Sequence, residues 1–193
     1  MDWANNSDCQ QNVLWVHGPV GSGKSTLSTT IASLFRERGQ LGAFLFFDRD
    51  VSERSDPTIV IRTIAYQLAA SITMIRDAIG TTLNRYSTIS TSPLRYQFQR
   101  LILDVLSTVE LPVRPIIIVM DALDECGTSE EREALLAVMS EDFANLPIGI
   151  RIIITSRTLN DIRIAFEPQH HILAYELDIL SPGNSEDILT YFH

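Results

Sequence analysis

Residues 18–26 read Gly18-Pro19-Val20-Gly21-Ser22-Gly23-Lys24-Ser25-Thr26, and this stretch restricts the fold more than any other in the chain. Gly18, Gly23, Lys24 and Ser25 stand at the fixed places of the phosphate-loop (Walker A) spelling Gly-x-x-x-x-Gly-Lys-Ser/Thr. The apolar run Val13-Leu14-Trp15-Val16-His17 before it predicts a strand. Leu27, Ile31, Leu34 and Phe35 after it fall at i, i+4, i+7 and i+8, the spacing of one helix face. Strand, glycine loop and helix are the context this motif requires. Glycines let backbone N–H groups turn inward, with no Cβ blocking an approaching oxyanion. The helix opening near Lys24 adds unpaired N–H groups and the positive end of its dipole. On this reading Lys24 reaches the β- and γ-phosphates of a nucleotide, and the Ser25 hydroxyl ligates Mg²⁺.

The chain has 193 residues, enough for one substantial α/β core and too few for two comfortable domains. At 45% hydrophobic residues, a packed globular domain is expected rather than disorder. A net charge of −9 argues against general affinity for nucleic acid or anionic membranes, which rely on positive surface. Cys9 and Cys126 are far apart and lack metal-ligand spacing, so neither a disulfide framework nor a zinc site follows. A reducing compartment, the cytoplasm, is the expectation. No apolar run reaches the length of a membrane span, and the polar start is unlike a signal peptide.

Along the chain, residues 1–12 form a polar lead-in, where Trp3 either stacks on a nucleotide base or anchors a surface segment. Leu41 to Phe47 reads as a buried strand ending at Asp48-Arg49-Asp50. Pro57 can open a helix whose face is Ile61, Ile64, Ala65 and Leu68, and a second short helix covers about 72–83. Tyr86 to Pro93 reads as a loop, and a further helix follows with Phe98, Leu101, Ile102 and Val105 on one side. Pro115-Ile116-Ile117-Ile118-Val119-Met120 predicts a central strand ending in Asp121, then Ala122-Leu123-Asp124-Glu125. An Asp at such a strand tip holds Mg²⁺ beside the loop Ser/Thr, and Asp124 and Glu125 are candidates to orient or deprotonate an attacking water. Thr128 and Glu131 spell a capping box ahead of a helix with Leu135, Val138, Met139 and Phe143. Gly149 to Ile154 is another buried strand, ending in Thr155-Ser156-Arg157, and Arg157 suits sensing of the γ-phosphate. His171 to Leu177 resembles a fifth strand. A helix begins near Asp187, and the chain's stop at His193 suggests a missing C-terminal continuation.

The segments His17 to Ser25, Val119 to Cys126 and Ile154 to Arg157 together resemble a NACHT domain. More narrowly they resemble the fungal, NLR-like NACHT proteins of the STAND class, signal-transducing ATPases with numerous domains. The resemblance covers residues 13–180, between the lead-in 1–12 and the start of a following helical segment at 181–193. It implies a three-layer α/β P-loop NTPase of the additional-strand type. Its five-stranded parallel sheet has the order 5-1-4-3-2, with helices on both faces. The implied strands are Val13–His17, Gly42–Phe47, Ile116–Met120, Arg151–Thr155 and His171–Leu177. By resemblance Asp121 takes the Mg²⁺ position of the Walker B motif, Asp124 or Glu125 the catalytic acid position, and Arg157 the sensor. Ala122 stands where related ATPases carry a catalytic Glu, which suits a slow switch. The family implies ATP or ADP, with GTP possible, and self-association in the full-length protein. It also implies helical, winged-helix and repeat domains downstream. The alternatives are a nucleotide-holding module without meaningful hydrolysis and a small-molecule P-loop kinase.

Overall fold

The computed structural model describes residues 3–4 and 9–177. The helix expected near Asp187 lies outside the described residues. Five strands form one sheet: β1 (Val13–His17), β2 (Leu41–Phe46), β3 (Ile116–Asp121), β4 (Ile150–Ser156) and β5 (Ile172–Glu176). They run parallel throughout, in the order β2-β3-β4-β1-β5, which is the expected 5-1-4-3-2 sheet counted from its other edge. β4 therefore lies between the strands that lead into the glycine loop and into the acidic turn. Every residue of β3 and β4 is buried, as continuous apolar runs covered on both faces require.

Among the described residues, eight α-helical segments surround the sheet: α1 (Lys24–Glu37), α2 (Ser52–Ser55), α3 (Val60–Ser71), α4 (Thr73–Arg85), α5 (Leu94–Phe98), α6 (Asp104–Thr108), α7 (Ser129–Ala137) and α8 (Asn160–Phe166). One sheet face presents Leu14, Val16, Ile117, Val119 and Ile153 to Leu27, Ile31 and Phe35 of α1. Burial of each such side chain contributes about 1.5–3 kcal/mol. The opposite face carries the larger core, built with α3, α4, α6 and α7. The expected helix after Pro93 forms as α5 and α6 joined by a π-helical stretch, Gln99–Leu103. The predicted capping box is present: Thr128 accepts from the Glu131 N–H, and the Glu131 carboxylate accepts from the Thr128 N–H.

At the β2 edge of the sheet a side chain pairs with the backbone of one residue, Phe44. Gln67 of α3 accepts from the Phe44 N–H at 2.8 Å and donates to the Phe44 carbonyl at 3.1 Å, so it occupies the place of a neighbouring strand. Trp3 takes the second of its two expected roles. It is buried, donates to the Gln11 carbonyl at 3.0 Å and lies under the Arg151 guanidinium. Gln11 precedes β1 and Arg151 is the second residue of β4, so Trp3 sits at the amino ends of the strands, away from the glycine loop.

Candidate functional site

The glycine loop leaves β1 at the carboxyl edge of the sheet. Gly21 and Gly23 adopt φ of 81° and 88°, a left-handed conformation that other residues reach at a cost of about 1–2 kcal/mol. Gly18 is required for a different reason. A Cβ there would stand 2.7 Å from the Leu177 carbonyl oxygen, because the chain after β5 is drawn in by the Leu177 N–H, which donates to the His17 carbonyl. Gly23 is the N-cap of α1, no side chain caps that helix, and its first turn carries no acid. The helix therefore presents its N-terminal donors and dipole to the cavity rather than to its own side chains. Lys24 curls over the loop, donating to the Gly18 carbonyl at 2.9 Å, the Pro19 carbonyl at 2.7 Å and Ser22 Oγ at 3.2 Å. Burial pushes its pKa below the usual lysine range, while the charges of Asp124 and Asp121 pull it back up.

The acidic wall is assembled from β3 and β4. Asp121 is buried, and its Oδ1 accepts from Thr155 Oγ1, which in turn accepts from the Ala122 N–H at 3.0 Å. One hydroxyl thus fixes both the Asp121 carboxylate and the backbone behind it. Ala122, at φ 60°, is the one non-glycine residue with positive φ among the described residues. That left-handed step turns the chain sharply into a 3₁₀ turn, Leu123–Glu125. The turn aims Asp124 at the end of β4, where Oδ1 accepts from the Arg157 N–H at 2.9 Å and Oδ2 from Arg157 Nε at 2.5 Å. The same bond holds the Arg157 pKa above its ordinary value. Asp124 has only 4% of its side chain exposed, whereas Glu125 has 34% and its nearest cation is Arg49 at 4.0 Å. Behind the turn, buried Arg132 of α7 donates to the carbonyls of Asp124, Cys126 and Gly127 and pairs with Asp161 of α8 at 2.8 Å.

A cavity of about 480 Å³ joins these parts. Val20, Gly21, Gly23, Lys24 and Thr26 line one side, and Asp124, Glu125 and Arg157 the other. Ser25 borders it and also a neighbouring space of about 610 Å³, whose wall includes Asp121. Gly18, Pro19 and Ser22 are gathered beneath the Lys24 ammonium. Ser25 and Asp121 supply one hydroxyl and one carboxylate, and no cluster of three His, Cys, Asp or Glu residues occurs among the described residues. That donor set fits Mg²⁺ held together with phosphate oxygens and water, and does not fit an all-protein metal cage. Thr155 and Arg132 shape the site without a role assigned to either by the motifs in the sequence that point to a function. Thr155 was readable as a hydroxyl at a strand tip, but an arginine in a charged helical stretch carries no mark of burial.

Loop, helix, acidic strand tips and strand order are those of a P-loop NTPase. No curated protein matches the sequence. Among solved structures, cbiO1 from Clostridium perfringens, part of the ABC transporter complex cbiONQ, superposes with a TM-score of 0.48 at 15% identity, over 93% of this chain and 79% of that one. At that distance it informs neither activity nor partners. Residues 1–157 match the family described as nephrocystin 3, N-terminal, a stretch that includes the glycine loop, the acidic turn and Arg157. The protein is therefore a member of the nephrocystin 3 N-terminal family.

Proposed function

We propose that the domain binds ATP or GTP with Mg²⁺ and hydrolyses it slowly, as the switch of a STAND-type signalling protein. In such a protein, with further domains downstream, the bound nucleotide controls self-association, as in the cytoplasmic defence or incompatibility responses of fungi. The observation that carries the reading is the single cavity bounded by Lys24 and the α1 N-terminus on one side and by Asp124, Glu125 and Arg157 on the other. In this assignment the loop N–H groups and Lys24 hold the β- and γ-phosphates, while Ser25 and Asp121 hold Mg²⁺. The metal, when bound, neutralises charge on the phosphate oxygens. Glu125, the more exposed of the two acids, orients the attacking water. Asp124 accepts two hydrogen bonds from Arg157, so it acts as the link between the acidic turn and the phosphate sensor.

A second reading, nucleotide holding without turnover, draws support from the same pair. An Asp committed to Arg157 and an Ala at position 122 leave only Glu125 free to act on water. Phosphate release from the purified protein separates the two. The switch predicts measurable release that Lys24→Ala abolishes and Glu125→Gln reduces by about ten- to a hundred-fold. Nucleotide binding by calorimetry with identical, background release in all three proteins would leave the holding module. Unchanged affinity in Lys24→Met, where one charge-assisted contact is lost, would reject the site itself.

A further inference from the structure

The helical layer carries a separate concavity, built without any group of the phosphate site. α3 and α4 pack side by side, and a groove of about 540 Å³ between their outward faces is walled mainly by apolar side chains. Its floor is small: Ala65 and Ala69 from α3 and Gly80 from α4. Gly80 lies inside a helix, where glycine is less favourable than alanine. A Cβ at that position would meet nothing within 4 Å, so packing within the domain does not account for the glycine. Tyr66 and Leu83 rise on the two sides, 75% and 47% exposed.

The charge in the groove is one-sided. Arg62 and Arg76 line it and no carboxylate does, although the chain carries a net charge of −9. Arg76 is committed to the end of α3, donating to the Ala69 carbonyl at 3.0 Å and the Ala70 carbonyl at 3.4 Å. Arg62 is not: its Nε is buried and has no hydrogen-bond partner among the described residues. Arg62 thus lines the groove without an acceptor of its own, and the carboxylate of an incoming acid would supply one.

We propose that the α3–α4 groove docks an acidic amphipathic helix of a partner protein, with its apolar side on Ala65, Ala69 and Gly80 and a carboxylate paired to Arg62. From Arg62 to Ala70 the groove follows about 12 Å of helix, room for two turns of an occupant. That length suits anchors at i, i+3, i+4 and i+7. The small floor lets the two backbones approach closely, and the arginines select the sign of charge. A basic helix would set like charges together and leave Arg62 unpaired.

The test uses a fluorescein-labelled helical peptide of about 18 residues with leucines at i, i+3, i+4 and i+7 and flanking glutamates, and a twin with lysine for every glutamate. Fluorescence anisotropy should show saturable binding of the glutamate peptide, at least about ten-fold tighter than its twin. Arg62→Glu should reverse that order. Gly80→Leu should weaken the glutamate peptide by about ten-fold or more while circular dichroism and nucleotide binding stay unchanged. That last readout separates failure of the groove from failure of the phosphate site. Absence of saturable binding, equal affinity for the twins, or indifference to Gly80→Leu would overturn the proposal. So would self-association in sedimentation that Gly80→Leu abolishes, because the occupant would then be a second copy of this chain.

Discussion

Thr155 supports two elements with one hydroxyl, donating to Asp121 and accepting from the Ala122 N–H. Thr155→Val keeps the shape of the side chain but leaves a buried carboxylate oxygen and a buried N–H without this partner. The expected loss is about 1–3 kcal/mol in urea-unfolding stability, since orphaned buried polar groups bear their full desolvation cost. The variant should also need more Mg²⁺ to reach half-maximal nucleotide binding, because the Asp121 carboxylate is no longer held in one rotamer. Thr155→Ser restores the hydroxyl and should recover most of both effects. An equal Mg²⁺ requirement in the Val and wild-type proteins would show that Thr155 only braces the backbone. Gly18 offers a harsher test. Gly18→Ala puts a methyl 2.7 Å from the Leu177 carbonyl oxygen, an atom that cannot rotate away. It should lower thermal stability and nucleotide affinity together, whereas Gly21→Ala, with open space around its Cβ position, should suffer only from its φ of 81°.

Among the elements, α7 has its start written out in the sequence as a reciprocal cap. Thr128→Ala removes one half of the reciprocal cap and should cost about 1 kcal/mol in equilibrium unfolding, with no change in nucleotide affinity. A larger loss accompanied by weaker binding would mean that α7 transmits strain through Arg132 to the Asp124 turn. The strands were equally legible. β3 and β4 are buried on both faces, and only unbroken runs such as Ile116 to Val119 satisfy that. Their order came from the resemblance, because periodicity says which residues face inward but not which strand is a neighbour. α8 went unread, as its two buried residues, Ile162 and Phe166, are one i, i+4 pair and too few to set a period. The 3₁₀ turn at Leu123–Glu125 also went unread. Its cause is the left-handed Ala122, a conformation imposed by tertiary contacts and unsignalled by the residue type. For the candidate site, the motifs name residues that the fold gathers at the strand tips, but not how those residues pair. Asp124 and Arg157 are 33 positions apart, and only the β3–β4 neighbourhood makes them partners.

Across the whole molecule, two histidines bind the sheet to its surroundings at opposite ends. His17 ends β1 beside the glycine loop, 3.1 Å from Thr158 Oγ1, and His171 precedes β5 with Nε2 3.3 Å from the Met139 carbonyl. Burial lowers both pKa values and is the largest cause in each case. The folded protein therefore favours the neutral imidazoles, while the unfolded chain takes up protons near the ordinary histidine pKa of about 6.5. Stability from these groups is complete above that value and declines as the pH falls below it, because the unfolded state then binds more protons. Acidification also shrinks the net charge of −9, which by itself relaxes self-repulsion, so the histidine effect is read by difference. Urea midpoints between about pH 7.5 and 5.5 should fall in the wild-type protein, and by clearly less in the double variant His17→Gln/His171→Gln. Equal slopes in the two proteins would show that the imidazoles are solvated well enough to titrate in the folded state as they do in the unfolded chain.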